Sequence, residues 1–327
     1  MALLICACRH NDAYQIVEPP KSIQPLVVAS PTRLTYNPLP DTEPSFLPGD
    51  SLLIYTAFRG DHDSDGCLQL LPSSGGQSAR SICEPRLPGE DSVFAYQSGA
   101  VSTGGLLAYE RSAKGPLNRF WTTHALMVRA LDGTSPPRLI TMLPAVGLIP
   151  EHSGATRIAW LDDHRFVYRA DDYQNLFCFG CIPWDSSAGL FVNLVDVSTD
   201  PATITPVPGT TSATDVAVQD ADAILVTLAG DTRVYRIVLS TGAVSVFWDF
   251  TPGIPISVAV AGNRLVASTD SFLMIDLPGG PPVTIDTVQW ANLRLSADGK
   301  RLVALRRRNV QHCCVSPGSD LFLFDLQ

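Results

Sequence analysis

Charge is scarce in this chain of 327 residues, where only 17% are Asp, Glu, Lys or Arg. Acidic residues outnumber basic ones, 32 to 23, for a formal net charge of −9. The basic footprint of a nucleic-acid binder is therefore missing. Long apolar runs are missing too, and no stretch approaches the roughly 18 residues of a membrane-spanning helix. Helical spacing with caps is nearly absent. Catalytic signatures are equally sparse: there is no G-x-S-x-G elbow and no H-E-x-x-H pair. The histidines, His10, His62, His124, His152, His164 and His312, are scattered. His124 and His312 fall near long loops, but with no nucleophile at a fixed spacing each reads as a lone surface histidine. What remains is a 45% hydrophobic content, enough to fill a core and to exclude a disordered chain. With it come 24 Gly and 26 Pro, the residues of turns.

The apolar runs are short, rich in Val, Ile, Leu, Phe and Tyr, and bounded by Gly, Pro, Asp or Asn, which predicts an all-β chain. They group in fours. The clearest set is Ala213–Val218, Ala223–Leu228, Arg233–Leu239 and Ala243–Phe250, with Gly230-Asp231 and Ser240-Thr241-Gly242 as turns. Ile256–Val260, Arg264–Ser268, Phe272–Leu277 and Pro282–Ile285 repeat it. A four-stranded meander cannot bury both its faces alone, whereas copies arranged around an axis can. Three further sets precede these, over residues 44–83, 93–143 and 157–207. The last set, over residues 293–326, lacks its fourth strand. Thr32–Tyr36 supplies it, closing the ring and removing two exposed sheet edges. The expectation is a six-bladed β-propeller over residues 32–327 at about 49 residues per blade, after a signal remnant and tether over residues 1–31.

Leu295-Ser296-Ala297-Asp298-Gly299-Lys300-Arg301-Leu302-Val303, followed by Asp320-Leu321-Phe322-Leu323-Phe324-Asp325-Leu326, resembles the TolB-type propeller repeat and, more broadly, WD-like repeats. In that repeat the next element reads R-L-T, which Arg33-Leu34-Thr35 matches. A weaker copy starts at Glu43-Pro44-Ser45-Phe46, and the remaining blades keep the strand pattern without the turn motif. Ile5-Cys6-Ala7-Cys8 resembles the lipobox of bacterial lipoproteins, which implies lipidation at Cys8 and a periplasmic or cell-surface location. The basic n-region and longer apolar core of a full signal peptide are not in residues 1–8, as expected if translation starts upstream. An ordinary N-terminus with two free thiols is the plainer alternative.

Six further cysteines in an exported chain favour disulfides. Cys67 and Cys83 lie equidistant from Gly75, the centre of the turn joining two antiparallel strands, so they are expected to face and bridge each other. Cys178, Cys181, Cys313 and Cys314 remain for further disulfides, with a four-thiolate zinc site as the competing arrangement.

Loops joining second and third strands share one propeller face. Those of the fourth and fifth blades are tiny, Ala229–Thr232 and Thr269–Ser271. Those of blades six, one, two and three are long: Arg306–Ser319, Phe58–Gly66, Arg111–His124 and Ala170–Gly189. These long loops form an expected crest carrying Phe58, Phe120, Trp121, Tyr173, Phe177, Phe179 and Trp184, aromatic anchors of a kind common at interfaces. Asp61-x-Asp63-x-Asp65-Gly66 has the opening of a calcium loop, but Pro72 and Gln69 stand where the two known continuations need an acidic ligand. An acidic turn without metal is the favoured reading of that segment. The functional expectation is a monomeric, non-catalytic envelope scaffold docking a protein or glycan on the crest. A calcium-dependent propeller hydrolase or lactonase is the alternative. Such enzymes build an acidic metal cage over the channel from several blades, whereas the dense carboxylates here share one loop.

Overall fold

The computed structural model describes residues 30–37, 40–58, 66–83, 94–114, 122–143, 155–171, 190–250, 253–262, 264–269, 273–276, 283–307 and 319–326. They form 24 strands and, among the described residues, no helix. The first strand is β1 (Thr32–Arg33). Blade one holds β2 (Asp41–Phe46), β3 (Leu52–Phe58), β4 (Gly66–Pro72) and β5 (Arg80–Ile82). Blade two holds β6 (Phe94–Val101), β7 (Leu106–Lys114), β8 (Thr122–Ala130) and β9 (Arg138–Leu143). Blade three holds β10 (Ala155–Trp160), β11 (Arg165–Asp171), β12 (Leu190–Asp196) and β13 (Thr203–Pro206). Blade four holds β14 (Ala213–Asp220), β15 (Ala223–Leu228), β16 (Arg233–Val238) and β17 (Ala243–Asp249). Blade five holds β18 (Ser257–Ala261), β19 (Arg264–Ser268), β20 (Leu273–Asp276) and β21 (Val283–Asp286). The last sheet joins β22 (Ala291–Leu295), β23 (Arg301–Arg307) and β24 (Ser319–Asp325) to β1.

All pairings are antiparallel, and all join sequence neighbours except the one that returns β1 to β24. The innermost strands β2, β6, β10, β14, β18 and β22 each contact the next, and β22 contacts β2. This ring of sheets is a β-propeller. Its core is distributed rather than central. One apolar cluster sits at each interface between adjacent sheets, such as Leu126, Ile158, Phe166 and Val195 between the second and third. Trp290, Leu302 and Phe324 with Val266 and Leu273 fill the interface between the fifth and sixth. Each sheet face is thus covered by its neighbour.

Closure rests on the short first strand. Thr32 and Arg33 pair with Leu323 and Phe322, and Arg33 is 2.7 Å from Asp320. Leu34 and Thr35 continue the bonding beyond the strand proper: Leu34 N donates to Leu321 O, and Leu321 N to Thr35 Oγ1. Leu34, 4% exposed, packs between Leu53 and Tyr55 of the first sheet and Val303 and Leu323 of the last. The Ser296–Arg301 turn adds a second clasp. Gly299 takes the left-handed conformation at φ 68° that a side chain resists. Ser296 Oγ donates to Asp298 and accepts from Arg301 N. Arg301 then reaches Ser73 Oγ and Asp50 O of the first sheet, and Ala297 N donates to Asp50.

Several inner strands are longer than the hydrophobic pattern implies, running from Asp41, Ala155 and Ala291, and through to Val101. The reason is a repeated bulge. Register slips between Thr42 and Ser45, Gln97 and Ala100, Thr156 and Ala159, and Ala291 and Arg294. The first inserted residues, Glu43, Ser98, Arg157 and Asn292, have φ between 49° and 58°. The second strand of blade two extends to Lys114 and the third begins at Thr122, so the loop expected over Arg111–His124 is shorter than its sequence suggested.

Cys67 and Cys83 form a disulfide with Cα atoms 5.2 Å apart. The Leu68–Ile82 register next to them places the two cysteines opposite one another. Replacing Cys67 with Ser is expected to lower the unfolding free energy by about 2–4 kcal/mol in urea under non-reducing conditions. Leu34→Ala is expected to cost about 2–4 kcal/mol by the same measurement. Tyr36→Ala, at a residue 71% exposed, should stay within about 0.5 kcal/mol of the parent.

Candidate functional site

A bulge interrupts the ladder and leaves backbone N–H groups without their strand partners. Around the channel these groups are taken up by side chains of other blades. Ser98 N donates to Thr56 Oγ1 at 3.2 Å, and Arg157 N to Glu43 Oε2 at 3.2 Å. Leu293 N donates to Ser257 Oγ at 3.1 Å, and Val258 N, in the unbulged inner strand of blade five, donates likewise to Asp215 Oδ2 at 3.0 Å. The consequence is a belt of polar side chains at the N-terminal ends of the inner strands. Antiparallel pairing sets those ends beside the end of each second strand, as with Asp41 opposite Ala57. The belt therefore lies towards the face of the second-to-third strand loops.

Four charges gather in it. Asp215 is wholly buried; its Oδ1 accepts from Val216 N at 2.8 Å, and its Oδ2 from Ser257 Oγ at 2.5 Å. Arg157, 6% exposed, sets its Nε 3.3 Å from Asp215 and its Nη1 3.8 Å from Glu43. Arg294 sets Nη1 3.9 Å from Asp215 and donates from it to Leu293 O at 2.8 Å. Asn292 Nδ2 completes the cluster on Glu43 Oε1 at 3.0 Å. Burial pushes the Arg294 guanidinium below its usual range, against the pull of the Asp215 and Glu43 charges. Two guanidiniums thus stand among two carboxylates contributed by different blades, so the cluster carries no net charge.

A second buried pair lies in blade two. His124 Nδ1 is 2.5 Å from Glu110 Oε1, with the two side chains 2% and 0% exposed. This corrects the expectation of a surface histidine: the extension of β8 to Thr122 carries His124 into the sheet. Ser112, its cross-strand neighbour, is also buried. The described geometry is that of an enclosed structural pair. The Trp160–Arg165 corner is a strand-turn-strand connection, Asp162 accepting from His164 N and Arg165 N.

The expected crest residues Phe120, Trp121, Tyr173, Phe177, Phe179 and Trp184 lie outside the described residues, as do Asp61, Asp63 and Asp65, Cys178, Cys181, Cys313 and Cys314, and Cys8. Phe58 ends β3. No cluster of three or more His, Cys, Asp or Glu that could hold a metal occurs among the described residues. Sequence reasoning did not single out Glu43, Arg157, Asp215, Asn292 or Arg294. The one available signal was charge at the starts of apolar strand runs, which reads equally well as a strand boundary.

Removing one member of a buried charge cluster leaves the others uncompensated. Asp215→Ala is therefore expected to lower unfolding free energy by about 3–5 kcal/mol. Asp215→Ala combined with Arg294→Met, which leaves the Arg157–Glu43 pair in place, should recover much of that loss in chemical denaturation.

No family model matches the sequence, and no curated relative matches it. Among solved structures, the chain is similar to a TolB-type protein from Agrobacterium tumefaciens. That match has TM-score 0.54 and 14% identity, covering 90% of this chain and 93% of the other. A calcium-binding protein, regucalcin, from the same organism gives TM-score 0.60 at 12% identity, covering 93% and 95%. A gluconolactonase from Xanthomonas campestris gives TM-score 0.56 at 12% identity, covering 95% and 99%. These likenesses establish the propeller fold and nothing finer.

Proposed function

We propose that the chain is a non-catalytic binding scaffold of a bacterial cell envelope, exported and lipid-anchored through Cys8. It docks a protein or glycan on the crest of long loops over blades six, one, two and three. The observation that carries this reading is the state of the charges at the crest end of the channel. A divalent cation needs carboxylate and carbonyl oxygens with open lone pairs. Here Asp215 accepts from Ser257, Val216 and Val258, and Glu43 from Arg157 and Asn292. Arg157 lies within 4 Å of both carboxylates. The site is built to hold blades together, which leaves the loops above it to make contacts.

The alternative, a calcium-dependent propeller hydrolase or lactonase, is favoured by the structural likeness to the regucalcin and the gluconolactonase. The internal ion pairs weigh against it. The test compares the parent protein with a variant carrying Phe120→Ala, Trp121→Ala, Tyr173→Ala, Phe179→Ala and Trp184→Ala, using glycan arrays and cross-linking to envelope proteins. A ligand held by the parent and lost in the variant, with no calcium-dependent hydrolysis of aldonolactones by either, is the expected outcome. Calcium-stimulated lactone turnover by the parent would establish the alternative.

A further inference from the structure

Each sheet of the ring ends in an outer strand with one free edge, and a free edge pairs with other strands unless something blunts it. The six outer strands are β1, β5, β9, β13, β17 and β21. Five of them are guarded. Arg33, Arg80 and Arg138 stand in β1, β5 and β9, and Pro206 ends β13. β21 runs for only four residues. The remaining strand, β17, is the longest of the six at seven residues, Ala-Val-Ser-Val-Phe-Trp-Asp, and holds no Lys, Arg or Pro.

Residues 243–247 are all exposed, Val244 at 47%, Val246 at 52% and Phe247 at 37%. Val244 and Val246 lie opposite Ile237 and Tyr235 of β16, so they share one face of the sheet. The strand is held at both ends. Gly242, at φ 69°, closes the turn before it, and the Trp248 ring lies 4.2 Å from that of the buried Phe250. An edge already fixed in extended form needs little further ordering to pair. The register with β16 skips Phe247, and this bulge confines the regular edge to residues 243–246.

Such an edge accepts another extended strand, and a second copy of the chain supplies one that fits. Turned through a two-fold axis, an antiparallel edge presents to itself the donors and acceptors it lacks. The charge pattern permits this. Residues 243–248 are uncharged, and Asp249 stands opposite Arg233 of β16. Pairing centred on Ser245 sets Val244 against Val246, with Asp249 beyond them opposite Thr241, so no like charges meet. A strongly charged strand finds no counter-charge along these residues. The edge is short, so the area covered stays below the roughly 1,000 Å² of a stable interface, and the association is weak and concentration-dependent.

We propose that β17 is a self-association surface: two copies pair these strands antiparallel about a two-fold axis, joining two four-stranded sheets into one of eight, in place of the monomer expected from sequence. The assignment uses the rim of blade four and none of the long crest loops, so it stands or falls separately from their role.

The test is sedimentation equilibrium of the full chain from about 1 to 500 μM, at low and at high salt, paired with hydrogen exchange. A dimer should appear as concentration rises, and with it protection of the amides of residues 243–246. Each copy carries a net charge of −9, so salt that screens their repulsion should tighten the dimer. Val246→Lys installs a guarding charge at an exposed position and should weaken association at least about tenfold. Leu139→Lys, at a residue 52% exposed on β9, should leave the dimer unchanged. A chain monomeric throughout the range would overturn the proposal. So would a dimer unmoved by Val246→Lys, one lost in Leu139→Lys, or one formed without protection at residues 243–246.

Discussion

Six sheets around an axis leave a channel, and the strands that line it have no further sheet to lean on. In this protein two carboxylates bridge that gap. Asp215 ties blade four to blade five through Ser257 and Val258, and lies beside Arg157 of blade three and Arg294 of blade six. Glu43 ties blade one to Arg157 and to Asn292. Five of the six inner strands thus meet through two side chains. In blades one, two, three and six a bulge turns N–H groups out of the ladder, and polar side chains at the axis take several of them. The guanidiniums then follow from the carboxylates, since buried charge of one sign is tolerated only when paired.

Much of the architecture was legible in the sequence because it follows from local rules. Short β-branched runs with turn residues between them dictate meanders, and repetition dictates a ring. Arg33-Leu34-Thr35 declared the closing strand through its likeness to a repeat continuation, and the symmetry of Cys67 and Cys83 about one turn declared their bond. The axial cluster was illegible for an equally physical reason. A left-handed residue is normally announced by Gly, yet here Glu43, Ser98, Arg157 and Asn292 adopt it at a cost of about 1–2 kcal/mol each. With no Gly at the left-handed positions themselves, and Gly99 alone within any of the four bulges, the charges beside them looked like strand ends. Tertiary hydrogen bonds repay that cost, and they join residues as far apart in sequence as Glu43 and Asn292.

The two ends of the channel have different chemistry. Towards the long loops the lining is polar, with its carboxylates satisfied by the protein itself. Towards the short turns the lining residues are mainly small and aliphatic, with Arg294 the one charged residue among those described. The axial bonds fix the inner strands of five blades relative to one another.

Whether the axial carboxylates belong to the protein or to a cation is best decided by diffraction from crystals soaked in manganese, read at a wavelength where the metal scatters anomalously. Self-compensation predicts no anomalous peak in the channel, with the Arg157 and Arg294 guanidiniums remaining among Glu43 and Asp215. A manganese ion bound by Glu43, Asp215 and Asn292, with the two arginines swung aside, would contradict it.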